Sequence, residues 1–482
     1  MEKQNLMGKA ISAAKWSVFT QIITKMISPI TQMILARLLS VEAFGIVAMV
    51  NMVITFADMF KEAGFQKYII QHEFKNNEEQ EQFLNVAFWT NFIVSIIIWI
   101  FIFLFNEKIA YYVGSSGYGK AIYIASIQII ISSFSSIQLG VFYRRLDIKR
   151  IFICNIVTAV IPLIVTVPLA LLNFSYWALI IGNLVSSIAS AILLTIQLRW
   201  HPRLYFNFKQ LKKMFSFSIW TMLEQISIWF SAWIDVFFIS YFFSQYELGL
   251  YRNSLNMVNS LMGIFTTVIT SVVFSTMSRL QNNTEKFQKA FFNIHRLITY
   301  IILPISVGIF LYKELATDIL FGEKWSDASN IVGIWAITSG IRIVSASFYS
   351  DIYRAKGKPK LSMALQCMDI IAVLVVCIIG GHLGFWPLVF LRAISRCDLL
   401  IPNLVIGAKI VKSTIKKIVL NIIKPITCTI IMVIVWKLIR GNSENILWEV
   451  ASILICVVVY LVAAIIIDKE FTLTNLKNFF AR

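Results

Sequence analysis

Two long apolar runs joined by a short turn stand near the start of the chain, where residues 15–71 read KWSVFTQIITKMISPITQMILARLLSVEAFGIVAMVNMVITFADMFKEAGFQKYIIQ. About 200 residues later the pattern returns: Trp16, Gln21, Ile22, Ser40 and Gly45 reappear as Trp220, Gln225, Ile226, Ser244 and Gly249, all at one shift of 204. A chain that repeats a pair of apolar helices at this distance is predicted to consist of two similar halves.

The composition is that of a membrane protein. Of the 482 residues, 58% are hydrophobic and 14% charged, and the mean hydropathy is +0.76. A soluble domain is about half apolar and about a quarter charged. Many windows reach the roughly 20 apolar residues that a bilayer span needs, and they are too long and too uniformly apolar for barrel strands. The chain is therefore predicted to be an all-α integral membrane protein.

The apolar runs predict about 14 transmembrane helices. Their expected ranges are 16–38, 43–61, 83–105, 119–142, 151–172, 176–198, 214–238, 248–276, 293–312, 328–350, 362–382, 384–406, 418–438 and 447–467.

The distribution of basic residues predicts the topology. Lys and Arg gather in the loops on one side, as in the group Arg144, Arg145, Lys149 and Arg150, whereas the opposite loops are short and poor in them. Cytoplasmic loops carry this excess, so both termini are expected in the cytoplasm. The net charge of +18 follows from this topology, and no nucleic-acid partner is expected.

The repeat extends beyond the first helix pair. FLFNEKIA at 103–110 is echoed by FLYKELAT at 310–317. One repeat unit holds six spans, an even number, so both halves enter the membrane the same way and form a parallel repeat with its pseudo-twofold axis along the membrane normal. The predicted domains are a six-helix lobe (1–198), a cytoplasmic interfacial linker (199–213), a second six-helix lobe (214–406), and an appended helix pair with a cytoplasmic tail (407–482).

An ordered set of short motifs then points to a family. The set comprises LARLLSVEAFG (35–45), DMFKEAGFQKYIIQ (58–71), YRRLDIKRI (143–151), FGEKW (321–325) and AKGKPKL (355–361). It resembles the bacterial polysaccharide-transport proteins, the O-antigen, colanic-acid and teichuronic-acid flippases of the multidrug/oligosaccharidyl-lipid/polysaccharide exporter superfamily. The resemblance implies a protein of the bacterial cytoplasmic membrane with two six-helix bundles around a central cavity that opens alternately to each side. It also implies a sugar repeat unit on undecaprenyl diphosphate as substrate.

Ionisable residues inside spans are the candidate site, because each costs about 2.5–3.5 kcal/mol at mid-bilayer on insertion scales and usually faces water or a partner. The basic candidates for binding a diphosphate are Lys25, Arg252, Arg342, Arg392 and Arg396. Arginine can hold phosphate oxygens through two parallel hydrogen bonds. In the family's geometry the first, second, seventh and eighth spans line the cavity, which favours Lys25 and Arg252.

Polar residues of the same spans are further candidates. Gln21 and Gln225 occupy matching positions of the repeat and could bond sugar hydroxyls, and Glu224 or Asp58 could titrate with a coupling ion. Whether that ion is H⁺ or Na⁺ is left open. Neither the cysteines nor the histidines have metal-site spacing, so no metal or other cofactor is expected.

A structural role for the buried charges is the competing interpretation. Asp369 with Arg392 or Arg396, and Asp235 with Arg252, could form ion pairs that hold helices together. The sequence does not decide between these roles.

The leading functional hypothesis is a flippase for a lipid-linked oligosaccharide, acting as a monomer among membrane lipids. One alternative is a drug or cation exporter of the same superfamily, which would favour acidic and aromatic cavity residues. Another is a membrane polysaccharide polymerase or ligase, which usually needs larger outer loops. Whether a polymerase and a chain-length regulator join the protein is left open.

Overall fold

The computed structural model describes residues 27–62, 65–440 and 446–473. All regular elements within these ranges are helical, and eleven stretches are long and apolar enough to cross a bilayer. The prediction of an all-α, multi-pass membrane protein is confirmed, and eleven stretches among the described residues are compatible with about 14 spans in the whole chain.

The chain divides into two compact units, Met1–Asn253 and Ser254–Arg482. The helices of the first unit are α1 (27–38), α2 (Val41–Glu62), α3 (Phe65–Gln71), α4 (Asn77–Tyr112), α5 (Gly119–Ala125), α6 (Ile127–Arg144), α7 (Ile148–Ile161), α8 (Val167–Leu171), α9 (Tyr176–Leu198) and α10 (Phe208–Phe242). A π-helical segment, Pro162–Thr166, joins α7 to α8.

Helix α11 (Gln245–Arg279) begins in the first unit and ends in the second. The remaining helices are α12 (Thr284–Leu311), α13 (Lys313–Phe321), α14 (Ser329–Arg342), α15 (Phe348–Ala355), α16 (Pro359–Leu383), α17 (Phe385–Ser395), α18 (Leu400–Val411), α19 (Ile415–Ile439) and α20 (Ile446–Ile467). A second π-helical segment, Ile343–Ser347, joins α14 to α15. The domain boundaries given by the sequence stay a prediction.

Two helices begin earlier than hydropathy indicates because polar residues cap them. The Asn76 side chain accepts the backbone N–H of Glu79 at 2.8 Å, and the Glu79 carboxylate accepts the backbone N–H of Lys75 at 2.6 Å. These two bonds start α4 at Asn77 rather than near 83. The Asn207 side chain caps α10 by accepting the backbone N–H groups of Lys209 and Gln210, so the basic residues at 209–213 belong to the first turns of α10.

The predicted twelfth span is two helices. Helix α17 ends at Ser395 and α18 begins at Leu400. Between them the Asp398 carboxylate accepts the backbone N–H of Leu399 at 2.6 Å. This turn interrupts the helix inside a run that hydropathy alone describes as continuous.

Two arginines of the YRRLDIKRI motif close helix ends. Arg144 donates through Nη1 to the backbone oxygens of Ile69, at 2.9 Å, and His72 at the end of α3. Arg150 donates to the backbone oxygen of Gln197 at the end of α9. Terminal helix carbonyls lack partners within the helix and attract positive charge, so these two side chains have a structural role.

The repeated glycines meet at a helix crossing. A Cβ on Gly45 would lie 1.9 Å from the backbone oxygen of Gln245, and a Cβ on Gly249 would lie 2.0 Å from the backbone oxygen of Val41. Val41 and Gln245 are themselves 204 residues apart, so the contact is reciprocal and locally two-fold symmetric. Close backbone approach through small residues is how membrane helices gain packing energy, and it places α2 against the start of α11.

The repeated serines also have matching structures. Ser40 Oγ accepts the backbone N–H of Ala43 at 3.3 Å in the first turn of α2. Ser244 Oγ accepts the backbone N–H of Glu247 at 3.2 Å, and the Glu247 carboxylate accepts the backbone N–H of Ser244 at 2.9 Å. Both serines therefore cap helices that begin at equivalent points of the repeat.

One buried carboxylate ties the last two helices to α12. Asp468, whose side chain is 6% exposed, accepts hydrogen bonds from Arg296 Nη1 at 3.1 Å and Lys424 Nζ at 2.7 Å. Tyr300 donates to the same carboxylate at 3.3 Å, and Arg296 Nε donates to Asn421 at 3.0 Å. This cluster joins α12, α19 and the end of α20.

We expect Asp468→Asn to destabilise the second unit by about 1.5–3 kcal/mol, the usual contribution of charge-assisted hydrogen bonds. Thermal unfolding of the detergent-solubilised protein measures the loss. Glu314→Gln is the matched control, because its ion pair with Arg440 is exposed on both sides and should contribute under about 1 kcal/mol. Equal melting temperatures for the two variants would contradict the role given to Asp468.

Candidate functional site

An arginine and an aspartate form an ion pair in the second unit. Arg342, at the end of α14, donates through Nη1 and Nη2 to the two carboxylate oxygens of Asp369 on α16, at 2.9 and 2.8 Å. The Asp369 side chain is 4% exposed and that of Arg342 is 23% exposed. This two-pronged geometry is among the strongest ion pairs that a protein makes.

Two further arginines lie beside this pair, against the buried ring of Trp335. The guanidinium carbon of Arg396 is 4.1 Å from the ring centroid and that of Arg392 is 5.6 Å away. Arg396 also donates to the hydroxyl of Ser339 at 2.9 Å. A cation over a desolvated indole gains about 2 kcal/mol, so the ring helps to hold positive charge inside the unit.

Together these groups form one electrostatic cluster, which we call the arginine cluster: Arg342, Arg392, Arg396, Asp369 and Asp398. Arg342, Arg392 and Arg396 all act on Asp369, and Arg342, Arg392 and Asp369 all act on Asp398. With all five groups charged, three positive charges face two negative ones, so the cluster carries one net positive charge.

A polar cavity of about 340 Å³ adjoins the cluster within the second unit. Arg342 forms part of its wall, and the wall continues through Asp351 and Arg354. The other polar lining residues are Thr266, Thr270, Ser347, Ser350, Tyr353, Ser362, Gln366 and Asn403. Hydroxyl and amide groups of this kind suit a ligand that carries many hydroxyls.

The walls of the cavity are fixed by hydrogen bonds. Tyr353 donates to the side-chain oxygen of Asn403 at 2.8 Å, and Arg354 donates to Asp351 at 2.7 Å. The π-helical segment Ile343–Ser347 follows Arg342 directly. Such a segment shifts the helix face by one residue and is frequent at functional sites, and here it places both Arg342 and Ser347 in the wall.

The first unit holds a separate charged group on α10 and α11. Arg252 lies 4.0 Å from the ring centroid of Trp233 and donates to the backbone oxygen of Ala232 at 3.2 Å. Asp235, which is 3% exposed, accepts a hydrogen bond from the hydroxyl of the fully buried Tyr251 at 2.8 Å. Arg252 and Asp235 also interact electrostatically.

The structure brings three of the five predicted cations together, namely Arg342, Arg392 and Arg396, and places Arg252 in the other unit. Asp58 on α2 and Gln225 on α10 are partly buried. Glu224 lies within α10, but its side chain is not among those described, and Lys25 and Gln21 lie outside the described residues. A role for any of these residues in substrate binding stays a prediction.

One of the two ion pairs weighed in the sequence analysis has a different partner in the structure. Asp369 forms its bidentate pair with Arg342, where Arg392 and Arg396 were the candidate partners. Sequence reasoning also missed Trp335. A signal was present, since Trp335, Ser339 and Arg342 recur at spacings of four and three and so share one face of α14.

Membrane-spanning helices that contain a polar cavity and buried arginines define the class of membrane transporters. Residues 34–330 match the family described as polysaccharide biosynthesis protein. Because the match covers more than half of the chain, the protein belongs to this family, and the resemblance carried by the sequence motifs is confirmed.

Individual relatives agree with this assignment. The succinoglycan biosynthesis transport protein ExoT of Rhizobium meliloti is 24% identical over 69% of this chain and 67% of its own length. The lipopolysaccharide biosynthesis protein WzxC of Escherichia coli is 21% identical over 79% of this chain and 77% of its own. A solved structure of the lipid II flippase MurJ in an inward closed conformation superposes with a TM-score of 0.77, covers 95% of this chain and 99% of its own, and is 17% identical. That structure has the same fold.

Proposed function

We propose that the protein is a flippase that moves undecaprenyl-diphosphate-linked oligosaccharide repeat units from the cytoplasmic to the outer leaflet by alternating access. The observation that carries this proposal is the arginine cluster beside a polar cavity in membrane-spanning helices. A sugar–diphosphate headgroup cannot cross hydrocarbon unaided, and a hydrated cavity with buried guanidinium groups lowers that barrier.

The chemistry of the site matches both parts of such a headgroup. Arginine binds phosphate oxygens through its planar fork of donors, and Arg342 stands in the cavity wall. The hydroxyl and amide side chains of the same wall can exchange hydrogen bonds with sugar hydroxyls. The site therefore offers positive charge and neutral polar groups side by side.

The lipid chain needs an apolar path. The first unit has an apolar pocket of about 580 Å³ between α2, α4 and α10, with Phe56, Phe60 and Phe101 among its lining residues. All three rings are more than a third exposed. Surfaces of this kind suit contact with hydrocarbon chains, which would stay in the membrane while the headgroup crosses.

The names of the relatives support a transport function rather than an enzymatic one. ExoT is called a transport protein, and MurJ a lipid II flippase. The protein is accordingly a transporter and not an enzyme. A drug or cation exporter is disfavoured because a cluster with a net positive charge would repel a cationic drug.

The remaining expectations belong to this proposal. The protein would reside in the bacterial cytoplasmic membrane as a monomer with both termini in the cytoplasm. A coupling ion, H⁺ or Na⁺, and cooperation with a polysaccharide polymerase and a chain-length regulator are consistent with it. Binding roles for Gln21, Gln225, Glu224 and Asp58 would complete the site.

The direct test is reconstitution. Purified protein in vesicles should make a fluorescent undecaprenyl-diphosphate oligosaccharide in the inner leaflet accessible to an external quencher, and empty vesicles should not. In cells, depletion of the protein should cause lipid-linked repeat units to accumulate on the cytoplasmic side. Vesicles that move a cationic dye but not the glycolipid would instead favour the exporter.

Two cations outside the arginine cluster give a further prediction. We expect Lys25→Ala and Arg252→Ala each to abolish surface polysaccharide while protein levels stay normal, because each removes a charge proposed to attract the diphosphate. Immunoblots of the polysaccharide and the protein measure both quantities. Lys437→Ala, near the end of α19, is the control and should leave polysaccharide unchanged. Normal polysaccharide in both test variants would refute the role of these two residues.

A further inference from the structure

We propose that the Asp369 carboxylate binds the paired N–H donors of Arg342, here called the Arg342 fork, when no substrate is bound. The diphosphate of the substrate then displaces this carboxylate from the fork. The inference rests on the proposed function and extends it, since it assigns a release device to the same site. The observation behind it is the bidentate pair at 2.9 and 2.8 Å beside the polar cavity.

The two side chains are placed unequally. Arg342 forms part of the cavity wall, and its side chain is 23% exposed, whereas Asp369 is 4% exposed. A ligand in the cavity can therefore reach the guanidinium group that Asp369 holds. A carboxylate and one edge of a phosphate group present two oxygens to the same pair of N–H donors, so the two anions compete for one fork.

A displaced Asp369 carboxylate keeps favourable surroundings. Arg392 and Arg396 both act on it electrostatically, and the Gln366 amide donates to it at 3.4 Å. Removing a partner from a buried charge normally costs several kcal/mol. Here two further guanidinium groups can take over the compensation, which makes the exchange reversible.

Reversibility is what a flippase requires. Three arginines without a counter-anion would hold a diphosphate tightly and slow its release at the outer leaflet. The returning Asp369 both competes for the fork and repels the departing phosphate. Substrate can shift a conformational equilibrium only through such a difference in interactions between states.

The test compares two variants, each of which neutralises one carboxylate of the arginine cluster. Binding of undecaprenyl diphosphate to the full-length protein in detergent is measured for the wild type, Asp369→Asn and Asp398→Asn. Asp369→Asn should bind about tenfold more tightly, since it removes the charge that competes with the diphosphate for Arg342, and should flip substrate more slowly. Asp398→Asn removes the same charge without opening the fork, because the Asp398 carboxylate accepts the backbone N–H of Leu399. Since Arg342 and Arg392 also act on Asp398, its affinity should rise too, but several-fold less than that of Asp369→Asn.

Asp369→Glu serves as a second variant because it keeps the charge that supports folding. Its carboxylate stands one methylene further from the backbone and should meet the two Arg342 donors less well, so this variant should also bind the probe more tightly than the wild type. The inference fails if neither Asp369 variant binds more tightly, or if Asp398→Asn gains as much as Asp369→Asn. Wild-type protein that does not bind the probe at all would overturn the proposed function, and the inference with it.

Discussion

Gly45→Ala should remove most of the folded protein from the membrane. The new Cβ would lie 1.9 Å from the backbone oxygen of Gln245, and a backbone atom cannot rotate away as a side chain can. Helices α2 and α11 would have to separate along their crossing. We expect a loss above the ~1–3 kcal/mol of an ordinary overpacked site, measured as the yield of monodisperse protein and its melting temperature.

The two-fold symmetry of the contact between α2 and α11 gives a second, matching prediction. Gly249→Ala should be as damaging as Gly45→Ala, because its Cβ would lie 2.0 Å from the backbone oxygen of Val41. Gly308→Ala in α12 is the control, since a Cβ there meets nothing within 4 Å, and it should be neutral or slightly stabilising. If the three alanine variants behaved alike, the close crossing would not exist as described.

Arg342→Leu should cost both stability and transport. It leaves the Asp369 carboxylate, 4% exposed, without its bidentate partner. Breaking a buried pair costs about 3–5 kcal/mol, and we expect the low end of this range because Arg392 and Arg396 still act on Asp369. It also removes the fork proposed to bind the diphosphate. Protein yield and glycolipid flipping in vesicles measure the two losses separately.

The double variant Arg342→Leu/Asp369→Leu distinguishes the two roles. Replacing both partners by apolar residues is often neutral for stability, so the folded yield should return to near the wild-type value. Flipping should stay absent, because no guanidinium group then stands at that point of the wall. A double variant that flips normally would show that the pair serves only to join α14 to α16.

Much of the fold could be predicted from the sequence because membrane helices are constrained locally. Every backbone group in hydrocarbon must bond within its own segment, so the apolar runs predicted most of the described helices. They missed the starts set by caps and the break between α17 and α18. Asn76 extends α4 beyond its apolar core in this way. The repeat was also visible, since Ser40 and Gly45 have counterparts at Ser244 and Gly249.

The partners of the charged residues were not predictable in the same way. Arg392 and Arg396 were the candidate partners of Asp369, yet Arg342 forms the pair. Spacing along one helix shows which residues share a face, but not which helix that face meets. Trp335 lies on the same face of α14 as Arg342, and the spacing of the two residues indicates this. A search of the charged residues alone does not find it.

Hydropathy and internal similarity were enough to predict a multi-pass helical protein with an internal repeat and costly charges inside its spans. Which charges pair, where the polar cavity lies and why the repeated glycines are needed follow from the packing of the helices. The physical reason is that hydropathy and capping act within a segment, whereas ion pairing and backbone contact depend on the rotation and depth of helices distant in the chain, which are set by close packing between them.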